Sequence, residues 1–93
     1  MGSVKIMAKV GRPTGAVPEV NNERLVALGR KILSRREEIG LTQIQAAELV
    51  GVSGVGWQNW ERARRAPGAL QLAEIARVLQ CSADWLLGLS PDT

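Results

Sequence analysis

Apolar residues recur at helical intervals along most of this chain, and capping residues punctuate the intervals. Leu25, Leu28, Ile32 and Ile39 are separated by Arg and Glu, the stripe of a helix with one buried face. Asn22 can cap its start, and Gly40 can close it in a left-handed turn. Thr42-Gln43-Ile44-Gln45 has the form of a capping box, with Thr42 bonding into the helix and Gln45 returning the bond. It predicts a second helix from Gln43 to Val50, stopped by Gly51. Ser53 caps a third, about Gly54 to Ala63, and Pro67-Gly68 breaks the chain. Leu72, Ile75, Ala76 and Leu79 stand at i, i+3, i+4 and i+7 and mark a fourth. Ser82 caps a fifth, across "ADWLLGL". The pattern predicts an all-α domain of five short helices over residues 22–89. Residues 1–21 read as a flexible basic arm and residues 90–93 as a tail or the start of a linker.

Composition narrows what such a domain can do. Ninety-three residues, 45% of them hydrophobic, suffice for one core. No apolar run approaches the roughly 18–20 residues of a membrane span, and the first residues lack the form of a signal peptide; a cytoplasmic location is expected. With no His and a single Cys, a metal site built on those residues and a His general base are both excluded. Neither paired carboxylates in an evident cleft nor a phosphate loop stands out, so neither an enzyme nor a cofactor is expected. The net charge of +3 is compatible with an anionic partner. In the arm, Lys5, Lys9 and Arg12 are open to two readings, contact with phosphate or minor groove, and a leader without a role. Cys81, between Leu79 and Trp85, reads as a small buried hydrophobe rather than a reactive thiol. Arg24, Arg30, Lys31, Arg35 and Arg77 read as solvated helix charges.

The second and third helices are short and joined by "GVS". That is the form of a helix-turn-helix, provided a small residue sits at the crossing, glycine in the turn, and apolar residues pin the helices together. Ala47 is the small residue, Gly51 the turn, and Val50, Val52, Trp57 and Trp60 the pins.

From about Leu28 to Leu89 the chain resembles the DNA-binding domain of the lambdoid phage repressor and Cro family. The residues that carry the likeness are "RREEIGLTQIQAAELVGVS", "WERARRAP" and "LAEIARVLQCSADWLLG". They cover about two-thirds of the chain, and "LQCSADWLLG" leans toward the repressor branch. The resemblance implies a five-helix lambda-repressor-like fold, double-stranded DNA as partner and a homodimer on a palindromic operator. Gln43 falls where family members contact phosphate; Ser53, Arg64 and Arg65 are expected to do the same. Gly54, Val55 and Asn59 fall where the family reads bases, with Gln58 and Arg62 nearby. Arg36 and Glu61 match a pair that bridges the first and third helices. Trp85, Leu86 and Leu89 fall on the dimerisation edge, for which a lid on the monomer's own core is the other reading.

This sequence departs from the family at two positions. Trp57 stands where a mid-size aliphatic residue is usual, and Ala46 where Leu is frequent; an exchange of volume would reconcile them. Val55 stands between Gly54 and Gly56 as a lone apolar group, suited to a thymine methyl, while the Asn59 amide matches adenine N6 and N7. The bare first turn of that helix keeps a rival open, an antitoxin-type module whose main partner is a protein.

Overall fold

The computed structural model describes residues 19–93, with side chains from Asn22 onward. The described residues form five helices: α1 (Glu19–Glu38), α2 (Gln43–Val50), α3 (Gly54–Glu61), α4 (Ala69–Leu79) and α5 (Ala83–Leu86). Residues 1–18 of the expected arm, with Lys5, Lys9 and Arg12, lie outside the described residues. Glu19, Val20 and Asn21, assigned to that arm from the sequence, instead make the first turn of α1.

The caps form as their residues dictate. Thr42 Oγ1 accepts the Gln45 N–H at 3.0 Å, and Gln45 Oε1 accepts the Thr42 N–H at 2.9 Å. Ser53 Oγ accepts the Gly56 N–H, and Ser82 Oγ accepts the Trp85 N–H, each at 3.0 Å. Gly51 has φ +87, and both it and Val52 donate to the Ala47 carbonyl. A side chain would be strained there, so the glycine lets the chain turn at once from α2 into α3.

Two predicted helices end early. The third stops at Glu61 rather than Ala63, because Ala63 is in the left-handed region (φ 60) and the chain folds back. The Arg64 and Arg65 N–H groups both reach the Asn59 carbonyl, at 2.9 and 3.3 Å. The fifth is a single turn closed by Gly88 (φ 78), whose N–H donates to the Trp85 carbonyl.

One core joins all five elements. Leu28 and Ile32 from α1 meet Ala46 and Ala47 from α2, Trp57 and Trp60 from α3, Ile75, Ala76, Val78 and Leu79 from α4, and Leu86 from α5. The two indoles pack edge to face, 5.6 Å between centroids at 61°, a favoured arrangement for aromatic pairs. Ala46 and Trp57 are both fully buried in this core, as an exchange of volume between them requires. Cys81 is partly buried against it. Burial raises the Cys81 thiol pKa above its ordinary value, against a smaller opposing pull from Arg35.

Two cations expected in solvent are instead structural. Arg35 Nε donates to the Leu79 carbonyl at 2.9 Å and its Nη2 to the Gln80 carbonyl at 3.0 Å. It thereby supplies donors to the carbonyls left open at the end of α4. Lys31 Nζ donates to the Trp85 carbonyl at 2.7 Å and lies 5.3 Å from the centre of the Trp85 ring, within cation–π range. Both reach across the fold from α1 to the C-terminal helices.

Gly29 sets how closely α1 approaches α3. A Cβ on it would stand 2.7 Å from the Glu61 carbonyl oxygen and 2.8 Å from that of Trp60. Those are backbone atoms and cannot swing away. Ala is ordinarily better than Gly in a helix by roughly 1 kcal/mol, but here the contact outweighs that gain. Gly29→Ala is expected to destabilise the domain by about 1–3 kcal/mol in urea denaturation; a neutral or stabilising result would show that α1 and α3 are less closely packed.

Candidate nucleic-acid interface

The outward side of α3 begins almost bare. Gly54 and Gly56 have ordinary negative φ, and neither is forced by its surroundings. A Cβ on Gly54 would meet only Ile44 Cγ1, at 3.8 Å; one on Gly56 would meet Ser53 Oγ at 3.4 Å and Val52 Cβ at 3.7 Å. Between them Val55 is 66% exposed, so burial does not account for an apolar side chain there. Ile44, on α2, is 65% exposed and adds a second apolar surface beside Gly54. Nothing in the helical pattern distinguishes Ile44 from an ordinary apolar position, so its exposure is not legible in the residues.

Further along α3 the residues carry polar groups. The Asn59 carbonyl is occupied by the Arg64 and Arg65 amides, but its side-chain amide has no hydrogen-bond partner among the described residues. Arg62, Arg64 and Arg65 are exposed, and none makes an ion pair among the described residues. Ser53 is also exposed, its Oγ accepting the cap bond.

Behind this face lies a connected polar group centred on Glu61, whose side chain is only 4% exposed. Arg36 Nε approaches Glu61 Oε2 at 2.6 Å and Arg36 Nη2 approaches Oε1 at 3.3 Å. The remaining Arg36 nitrogen donates to the Leu41 carbonyl at 2.8 Å. Gln43 Nε2 donates to Glu61 Oε1 at 2.7 Å, and Trp57 Nε1 donates to Oε2 at 2.6 Å. Gln58 Nε2 in turn donates to Gln43 Oε1 at 3.1 Å. No buried side-chain nitrogen or oxygen among the described residues lacks a partner. The structure therefore brings Arg36, Glu61, Gln43 and Gln58 together, and adds Trp57, read from the sequence as packing alone. Burial pushes the Glu61 pKa up, but hydrogen bonds from Arg36, Gln43 and Trp57, with the Arg36 charge, outweigh it and hold the carboxyl below its ordinary value of 4.5.

At the opposite end the expected edge needs a correction. Leu86 is 1% exposed and belongs to the core; Leu87 (38%) and Leu89 (66%) carry the exposed apolar surface, with Trp85 partly buried. Ala83 and Leu86 are three apart and share one helical face, and that face points inward.

A family model described as "Helix-turn-helix" matches residues 32–86. This chain belongs to the lambda-repressor-like helix-turn-helix family. Within that family it is similar to Repressor protein C2 of Salmonella phage P22, 37% identical over 60 residues, which are 64% of this chain and 28% of the relative. It is also similar to the HTH-type transcriptional regulator DicA of Escherichia coli, 34% identical over 62 residues, 67% of this chain and 46% of that protein. The chain thus spans less than half the length of these two relatives. Among solved structures, the P22 c2 repressor in complex with synthetic operator 9T superposes with a TM-score of 0.65 at 35% identity, covering 68% of this chain and 96% of that one. The clp gene regulator ClgR from C. glutamicum gives 0.65 at 29%, covering 71% and 86%. In this helix-turn-helix protein α2 and α3 are the two helices of the motif, and Gly51-Val52-Ser53 is the turn.

Two outcomes follow from the geometry of the motif. Glu61 has a lowered folded pKa, so its contribution to stability is complete above its unfolded value and is lost as pH falls through the folded one. Stability should decline below about pH 4.5, and the part due to Glu61 should be absent in Glu61→Gln; parallel pH profiles for the two proteins would contradict this. Because neither glycine is structurally required, the double substitution Gly54→Ala, Gly56→Ala should stabilise the domain by roughly 1–2 kcal/mol, read as a higher thermal midpoint.

Proposed function

We propose that this chain is the DNA-binding domain of a sequence-specific transcriptional repressor that recognises a palindromic operator as a dimer. The observation that carries the reading is the outward face of α3. An apolar side chain and an uncommitted amide stand there with no partner among the described residues, flanked by exposed arginines. A major groove presents the complements of both groups, a thymine methyl for Val55 and the N6/N7 edge of adenine for Asn59. Gly54 and Gly56, which the fold does not need, leave the backbone around Val55 free to approach the groove closely.

The other contacts follow from chemistry and position. Arg64 and Arg65 supply charge for the phosphates beside the groove, with Arg62 nearer the bases. The Ser53 hydroxyl and the free amides at the start of α2, beside Gln43, are further donors toward phosphate. Leu87 and Leu89, with Trp85, offer apolar surface to a second copy. Two such domains would place their α3 helices about 34 Å apart, one turn of duplex. P22 c2 is a repressor with an operator, and the similarity to it supports the same role here.

Selection of duplexes from a randomised pool, followed by binding titrations, tests the reading. The selected sites should be two-fold symmetric, and replacing the critical thymine by uracil should weaken binding. Asn59→Ala or Val55→Ser should lose about 1–3 kcal/mol of discrimination against the wrong base. Arg64→Ala and Arg65→Ala should weaken selected and unrelated duplexes alike and lower the salt dependence by about one unit each. Equal affinity for selected and unrelated DNA would overturn the proposal.

A further inference from the structure

Glu61 does more than pair with Arg36. An ionised carboxylate only accepts hydrogen bonds, so whatever faces it must present a donor. Gln43 faces Glu61 Oε1 at 2.7 Å, and its amide is therefore held with Nε2 toward Glu61 and Oε1 away. That oxygen accepts from Gln58 Nε2 at 3.1 Å, so Gln58 is fixed in turn with its nitrogen toward Gln43. The carboxylate thus sets the direction of two amides in succession, one at the start of α2 and one on α3.

Holding the carboxylate in place takes donors from several sides. Arg36, on α1, is the charged group that faces it. Trp57 supplies the other fixed donor, one helical turn before Glu61, at 2.6 Å. Trp57 is wholly buried, so an indole N–H without this acceptor would be left unpaired at a substantial cost. An aliphatic residue at 57 could fill the core, but it could not hold Glu61 Oε2. The tryptophan and the carboxylate therefore depend on each other.

We propose that Trp57 and Glu61 form a positioning unit, in which the indole N–H and Arg36 seat the carboxylate and the carboxylate fixes which edge each amide of Gln43 and Gln58 presents toward DNA. Neither residue of the unit need touch DNA itself. This rests on the DNA-binding reading above. With the directions fixed, Gln43 keeps its second Nε2 hydrogen as a donor, and Gln58 keeps its Oε1 and one N–H. Without the carboxylate either amide can rotate by half a turn, and the pattern offered to the DNA is no longer single.

The test combines side-chain NMR with a double-mutant cycle on a duplex selected from the randomised pool. Free protein should show shifted, exchange-protected amide signals for Gln43, and Trp57→Phe, which keeps an aromatic ring but removes the N–H, should return them toward ordinary glutamine values. Glu61→Gln should do the same, because its amide can donate as well as accept. Trp57→Phe should weaken binding to the selected duplex about tenfold, and that loss should largely vanish in a Gln43→Ala, Gln58→Ala background. Thermal melts establish that each variant is folded at the binding temperature. An equal affinity loss in both backgrounds would assign Trp57 to packing alone and overturn the proposal. So would unchanged amide signals in folded Trp57→Phe. If the wild-type protein showed no preference for any duplex, the DNA reading would fail, while the NMR comparison would still decide whether Trp57 and Glu61 orient the glutamines.

Discussion

The carboxylate of Glu61 is the point on which this small domain turns. It is nearly sealed from solvent, and it meets α1 through Arg36, α2 through Gln43 and its own helix through Trp57. Breaking such a buried pair from one side is costly, because the remaining charge loses its compensation. The value of the arrangement is geometric. Three helices that already share one apolar core are held at fixed angles by one acceptor-only group, and the angle between α2 and α3 defines the motif.

Glycine at position 29 makes that arrangement reachable. Arg36 lies two turns further along α1, and it can bond Glu61 in this geometry only if the helix axis passes close to the end of α3. The near contact of Gly29 with the Trp60 and Glu61 carbonyls is that passage. Arg35 and Lys31 secure the opposite side of α1, gripping the end of α4 and the turn of α5. A single long helix is thus tied on one side to the motif and on the other to the C-terminal helices. Helices as short as α2, α3 and α5 hold their shape by such ties rather than by intrinsic propensity.

Much of this was legible in the residues, where the physics is local. Thr42, Ser53 and Ser82 announce helix starts because their side chains bond amides three residues on. Gly51 announces a turn because few other residues accept its backbone angle. Arg36 and Glu61 came from family likeness. The rest depends on partners far off in sequence. Arg35 and Lys31 look like solvent charges until carbonyls 44 and 54 positions away are placed beside them. Nothing local marks Gly29 until α3 is brought against it. Trp57 reads as volume, since hydrophobic periodicity carries no information about where an indole N–H points. Leu86 and Leu87 are neighbours in a single helical turn, too short for its pattern to tell the inward residue from the outward one.

The left-handed kink at Ala63 has a mechanical consequence. By turning the chain back onto the Asn59 carbonyl, it ties the Arg64 and Arg65 backbone to the helix that carries Asn59, so the three backbones form one body rather than a helix trailing a loose strap. If that body docks on a duplex as proposed, a shift of the amide along the groove carries the two arginine backbones along the sugar–phosphate rail with it. A poor fit at one base pair would then be felt as lost grip on the rail as well, and discrimination would be steeper than the base contact alone could supply.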